Sequence, residues 1–274
     1  MREELMTEAL CWELEAKVTA EYAYTRKNLT YFCPEENCLV EVRPKKLKNT
    51  YFYAPNLHEP GCINEAATAQ PSPHPGQPNP KPSPAPAPQI PTILGAGPVP
   101  RPRGRPTKAD LLKLAQRARI LPVSQPGTLE EVVAAWAAMS SNERANHPLS
   151  IAGQNYNYVT AFSFLANANP DIIHLDCRGR IVFGAAKVTV GGLYYFVSTR
   201  KTFDHQAARL PIRLDVTKNS PLLANVPGLV GQHVTLFWHG NIPSIARSGA
   251  AFLIHPIPGQ IYEGAIVLDG ILTP

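Results

Sequence analysis

Nearly half of the chain's 29 prolines fall between Pro71 and Pro106, and this tract constrains the fold more than any other feature. Each proline removes a backbone donor and fixes φ, so neither a helix nor an inner strand can run through the segment. Extended polyproline-like chain is the expected state from Pro71 to Pro100. The 274 residues are thereby divided into four parts. Residues 1–69 form a small domain, 70–106 a proline-rich linker, 107–147 a helical segment and 148–274 a β-rich domain. The expected class is α+β and multidomain, with the C-terminal part mainly a β barrel or sandwich preceded by helices.

The first part is too short to bury a self-sufficient core. Alternation and aromatics between residues 13 and 32 (Val18, Tyr22, Tyr24, Tyr31) predict two short strands. Val40 and Val42 with Tyr51, Phe52 and Tyr53 predict a hairpin turning through Lys45–Asn49. Cysteine and histidine stand at the edges of these strands: Cys33 and Cys38 are separated by four residues, His58 and Cys62 by three. Two short-spaced pairs from one hairpin can give three thiolates and one imidazole to a tetrahedral ion, and the predicted ligand set is Cys33, Cys38, His58 and Cys62 around Zn2+. Protein fills all four places, so no position remains for an activated water and the site is expected to be structural. Cys11 and Cys177 are left as free thiols. This cysteine usage fits a reducing compartment, there is no run of about 18 apolar residues to cross a membrane, and Met1–Ala9 lacks the character of a secretory signal. A cytoplasmic location is therefore expected.

Tyr31-Phe32-Cys33-Pro34, the strand beyond Cys38, the Tyr51-Phe52-Tyr53 run and Leu57-His58-Glu59-Pro60-Gly61-Cys62 resemble the zinc-finger head of competence CoiA-like bacterial proteins, over about residues 9–65. That family often joins the head to a nuclease domain, which has no counterpart in the sequence downstream. The resemblance implies zinc and a bacterial, DNA-related setting, not cleavage.

The net charge of +5 is unevenly distributed: residues 101–119 carry seven basic side chains against one acidic, while residues 120–274 carry ten against nine. Concentrated positive charge beside extended chain is a footprint for phosphate. Arg101-Pro102-Arg103-Gly104-Arg105-Pro106 resembles an AT-hook. Proline keeps such a segment extended, glycine lets its backbone approach the groove floor, and arginine is favoured in the narrow minor groove of A·T tracts. Arg101, Arg103, Gly104, Arg105, Pro106 and Lys108 are the predicted DNA-binding residues, with an A·T-rich duplex as the favoured partner.

Thr107 opens an amphipathic run through Leu111, Leu112, Leu114 and Ala118 that predicts a helix ending near Arg119. A second helix is predicted from the Thr128 cap to about Met139, and another turn at Ser141–Asn146. Seven apolar runs follow: Ile181–Phe183, Lys187–Val190, Leu193–Ser198, Leu210–Val216, Val234–Trp238, Ala251–His255 and Ile261–Leu268. They are read as strands. Tyr194, Tyr195, Phe196, Phe203, Phe237 and Trp238 lie among Arg200, Lys201 and Arg209, a composition suited either to a core or to a stacking platform. His174 and Asp176 are placed on a strand and Asp204-His205 in a loop, without a catalytic constellation. The function expected from these features is modular DNA binding. A nuclease or nuclease accessory of a bacterial mobile-element or defence system is the alternative, as is a non-catalytic scaffold docking protein partners through the proline tract or the β-rich domain.

Overall fold

The computed structural model describes residues 5–64, 90–95, 100–120, 123–165, 171–206, 208–218, 223–255 and 264–274. Most of the extended chain expected over 71–100 lies outside the described residues. The chain divides into two units, one of residues 1–92 with 97–126 and the other of residues 93–96 with 127–274.

In the first unit, period-two alternation builds a sheet with two apolar faces. Strands β1 (Glu8–Cys11), β2 (Ala16–Thr19), β3 (Tyr31–Phe32), β4 (Glu41–Lys46) and β5 (Thr50–Tyr53) are ordered β2-β1-β3-β4-β5, and neighbours are antiparallel. Ala9, Cys11, Val18, Tyr31, Val42 and Phe52 face one buried cluster, which contains Cys33, Cys38 and Cys62. Leu10 and Phe32 face the other, where Leu39 joins Leu111, Leu114, Ala115 and Ala118 of helix α2 (Lys108–Ile120). The predicted helix after the proline tract is thus a layer of the first unit.

The stretch around Tyr22 and Tyr24 is a helix, α1 (Ala20–Thr25), where a strand was expected. The Thr19 side chain accepts the Tyr22 amide at 3.2 Å, and this local cap outweighs the β preference of the tyrosines. The predicted hairpin is present as β4 and β5.

In the second unit, helices α3 (Leu129–Ala138) and α4 (Ser141–Asn146) both start on capping boxes, Thr128 with Glu131 and Ser140 with Glu143. A small sheet runs β7 (Pro126–Gly127), β6 (Ile93–Leu94), β8 (Pro148–Ile151), β9 (Gln154–Asn157), with β7 at the unit boundary. Ile93 and Leu94, assigned from sequence to the linker, therefore pair with Ser150 and Ile151. The prolines on either side hide this two-residue strand.

The main sheet holds β10 (Phe162–Phe164), β11 (Ile181–Gly191), β12 (Tyr194–His205), β13 (Ala208–Thr217), β14 (His233–His239), β15 (Ser244–Ile245), β16 (Phe252–Leu253) and β17 (Gly264–Asp269). Its order is β15-β16-β13-β12-β11-β14-β17, with β10 parallel to β11. Among the described residues this path is open, not a closed barrel. One face gathers Val182, Val188, Val197, Ile212, Leu214, Leu236 and Trp238 into the largest core. The other carries Phe183 and Phe237 against Trp136 of α3 and Phe162. The first two predicted strands are one, because Gly184 continues β11: a Cβ there would lie 2.9 Å from the Leu165 Cβ, so glycine admits a neighbouring side chain instead of ending the strand.

Candidate metal centre and basic segment

Cys33 follows β3 and Cys38 precedes β4, so one tight loop supplies the first pair. The Cys33 amide donates to Val40 O at 2.9 Å, the amides of Cys38 and Leu39 both donate to Glu35 O, and Leu39 takes a positive φ of 53°. The second pair follows β5, where Gly61 has φ 80° and the Cys62 amide donates to Glu59 O at 3.0 Å. Cys33, Cys38, His58 and Cys62 come together with their ligand atoms all within 4.8 Å of one another.

Three of the six separations have the length of a tetrahedral edge. Bonds of about 2.3 Å to sulfur and 2.0–2.1 Å to nitrogen imply S–S edges of about 3.8 Å and S–N edges of about 3.5 Å. The observed values are 3.7 Å for Cys33 Sγ to Cys62 Sγ, 3.3 Å for Cys38 Sγ to His58 Nδ1, and 3.6 Å for Cys62 Sγ to the same nitrogen. Backbone amides support the sulfurs: Glu59 N donates to Cys38 Sγ and Asn64 N to Cys62 Sγ, each at 3.4 Å.

Asn64 also donates its side-chain Nδ2 to Cys33 Sγ at 3.4 Å. It is 7% exposed and touches two ligands from opposite ends of the motif. Sequence reasoning missed it because asparagine is not itself a ligand; its place two residues beyond Cys62 was the only signal. Burial pushes the Cys33 and Cys62 thiols up, and the bonds from Asn64 oppose that shift. Such outer contacts typically account for 10–100-fold in metal affinity. Asn64→Ala is therefore expected to weaken metal binding by about tenfold or more, read by competition with a chelator of known affinity. The other two thiols differ: burial raises Cys11 to about 12 and Cys177 to about 11, which makes them poor nucleophiles.

The basic segment is docked rather than free. The Arg101 amide donates to Glu13 O at 3.0 Å, and Trp12 Nε1 donates to Gly104 O at 2.8 Å. The Arg103 guanidinium lies 4.6 Å from the Trp12 ring centre and pairs with Glu15 at 3.0 Å. Arg117 approaches the same carboxylate at 3.7 Å, and Arg119 pairs with Glu36 at 3.0 Å. Glu15 sits at φ 50° in the turn between β1 and β2. These contacts border an open groove of about 810 Å³ lined by Trp12, Glu15, Arg103, Lys113, Arg117 and Ile120. Of the six predicted DNA-binding residues, Arg101, Arg105 and Lys108 are exposed without an ion pair among the described residues, whereas Arg103 is engaged.

His174, Asp176, Asp204 and His205 lie in other elements than expected. His174 ends a 3-10 turn, not a strand, and Asp176 accepts the Gly179 amide at 2.8 Å. Asp204 and His205 finish β12 instead of occupying a loop, and Asp204 pairs with Arg209 at 3.1 Å. Ser244 and His255 hydrogen-bond at 3.0 Å on an exposed edge, without a carboxylate to orient the histidine among the contacts described. No helix among the described residues is long and apolar enough to cross a membrane. No protein-family model, curated protein or solved structure matches this chain.

Proposed function

We propose that this is a modular DNA-associated protein in which Cys33, Cys38, His58 and Cys62 hold one structural Zn2+, and the stapled unit carries the basic segment to A·T-rich duplex. Three sulfurs and one nitrogen at tetrahedral spacing favour zinc over harder, oxygen-seeking cations. The observation that carries the DNA reading is the exposure of Arg101, Arg105, Lys108 and Lys113 on the unit built around the metal cluster, none of them ion-paired among the described residues. The resemblance to the CoiA-like head supports the same bacterial, DNA-related setting and, with it, a cytoplasmic, nucleoid-associated location.

In this reading Arg105 enters the minor groove while Lys108 and Lys113 meet phosphates, each contact steepening the salt dependence by about 0.9 in log–log slope. Arg103 contributes once phosphate displaces Glu15. Exposed ion pairs are worth only about 0.2–1 kcal/mol, so this exchange is easy. Glu15→Gln is expected to tighten duplex binding about twofold to fivefold by removing the competitor.

The deciding experiment is an anisotropy titration of labelled A·T-rich and G·C-rich duplexes across several salt concentrations, with wild type and Arg103→Ala/Arg105→Ala. A preference for A·T-rich duplex that the double variant loses supports the reading. Equal, feeble binding by both proteins removes it.

A further inference from the structure

The aromatics of the main sheet divide by alternation. Phe203, Phe237 and Trp238 are buried, and Tyr195 packs against the inner core. Tyr194 and Phe196 point the other way, onto the outer face of β12, beyond the part of that face covered by Trp136. Tyr194 is 40% exposed. The two rings stack with centres 6.2 Å apart and planes 23° from parallel.

The surroundings hold this pair flat. Phe196 lies over Gly191, where a Cβ would come within 2.9 Å of its Cε2, so the glycine makes room for the ring. The Arg213 guanidinium sits 4.7 Å from the Phe196 ring centre, and Asp215 fixes it through bonds of 2.6 and 3.0 Å. That carboxylate is spent on Arg213. Lys187 and Arg200 are exposed on the same face and form no ion pair among the described residues. Lys187 lies opposite Ser198, which in turn lies opposite Arg213, one row from Phe196. Arg200 Nη2 reaches His233 Nε2 at 3.0 Å, and His233 is opposite Lys187.

We infer that this face of β11, β12 and β13 binds single-stranded nucleic acid, with bases stacked on Tyr194 and Phe196 and phosphates met by Lys187 and Arg200. Flat aromatic rings on a sheet accept any base by its π-face, but only when the base is unpaired, and flanking cations follow the backbone. Charge complementarity selects this occupant: the face that carries the rings also carries Lys187 and Arg200, neither in an ion pair among the described residues, and its nearby carboxylate is already neutralised by Arg213. The site lies in the second unit and shares no residue with the basic segment, and its ligand differs from the duplex proposed above. It goes beyond that reading and stands or falls separately.

The test uses the full chain carrying Arg101→Gln/Arg103→Gln/Arg105→Gln/Lys108→Gln/Lys113→Gln, so that the contacts proposed for the basic segment are removed from every comparison. Labelled twelve-residue oligothymidylate and oligouridylate are titrated by anisotropy. Tyr194→Leu is expected to weaken binding about tenfold, Tyr194→Phe to keep it within about twofold because the π-face remains, and Lys187→Gln/Arg200→Gln to lower the salt slope by about 1.4. The ratio between the two oligomers shows whether the natural strand is DNA or RNA, and either supports the site. Failure of both oligomers to bind saturably overturns the inference. Binding that Tyr194→Leu leaves unchanged, or that Tyr194→Phe weakens equally, overturns it too. Unchanged circular dichroism of the exposed-site variants separates a lost contact from a lost fold.

Discussion

Cys62→Ser is expected to abolish the cooperative unfolding of the first unit while leaving that of the second in place. Cys62 links two structural tasks: its sulfur lies within 3.7 Å of Cys33 Sγ and 3.6 Å of His58 Nδ1, and it is buried in the cluster beneath β1, β3 and β4. A serine hydroxyl is a far weaker zinc donor than a thiolate, and three remaining ligands leave an open site. Structural zinc in finger peptides stabilises folding by about 10–16 kcal/mol at neutral pH, so losing it exceeds the margin of a domain this small. Calorimetry of wild type should show two transitions, and both the variant and chelator-treated wild type should lose the first. The pH dependence has a definite sign. Burial holds the Cys33 and Cys62 thiols protonated in the metal-free protein, so the ion displaces protons when it binds. Metal affinity, and with it the first transition, falls as pH falls. Two undisturbed transitions in Cys62→Ser contradict the staple.

The second large effect is expected in the other unit. Trp136 is 2% exposed and stands at the centre of an aromatic cluster, 5.1 Å from Phe162, 4.9 Å from Phe183 and 5.6 Å from Phe237 between ring centres. The Arg144 guanidinium covers its remaining side at 3.8 Å while Arg144 Nε donates to Trp136 O at 2.9 Å. Trp136→Ala deletes the only tryptophan of α3 from the outer face of the sheet and enlarges an existing cavity of about 150 Å³. Loss of about 3–5 kcal/mol is expected, lowering the second transition and leaving the first unmoved. Trp136→Phe, which keeps a ring in the cluster, should lose much less. Denaturant titration followed by the change in apparent midpoint checks both. A loss below about 1 kcal/mol contradicts the packing described, since buried tryptophan truncations lie well above it.

Signals confined to a few residues were legible in the sequence. Thr128 announces the start of α3, and its hydroxyl accepts the Glu131 amide as that cap requires. That Cys33, Cys38, His58 and Cys62 would come together was readable from spacing, because a chain that must present them on a tight loop leaves little freedom in the intervening count. What escaped depends on partners distant in sequence. Leu111 and Leu114 read as one apolar face of a helix, but nothing local says that the face belongs to Leu10 and Phe32, about a hundred residues earlier. Ile93 and Leu94 gain strand character only from Ser150 and Ile151. Glu15 and Trp12 hold Arg103 across the proline tract, so a segment read as extended linker is docked at its end. Gly184 read as a break because its role is to admit Leu165, a contact that composition cannot reveal.

The most direct test of the metal staple is elemental analysis of the purified full chain beside a variant with all four ligands replaced, Cys33→Ser/Cys38→Ser/His58→Ala/Cys62→Ser. One zinc per chain in wild type and none in the variant is the predicted result. Metal-free wild type that retains its first unfolding transition, or zinc retained by the fourfold variant, would contradict it.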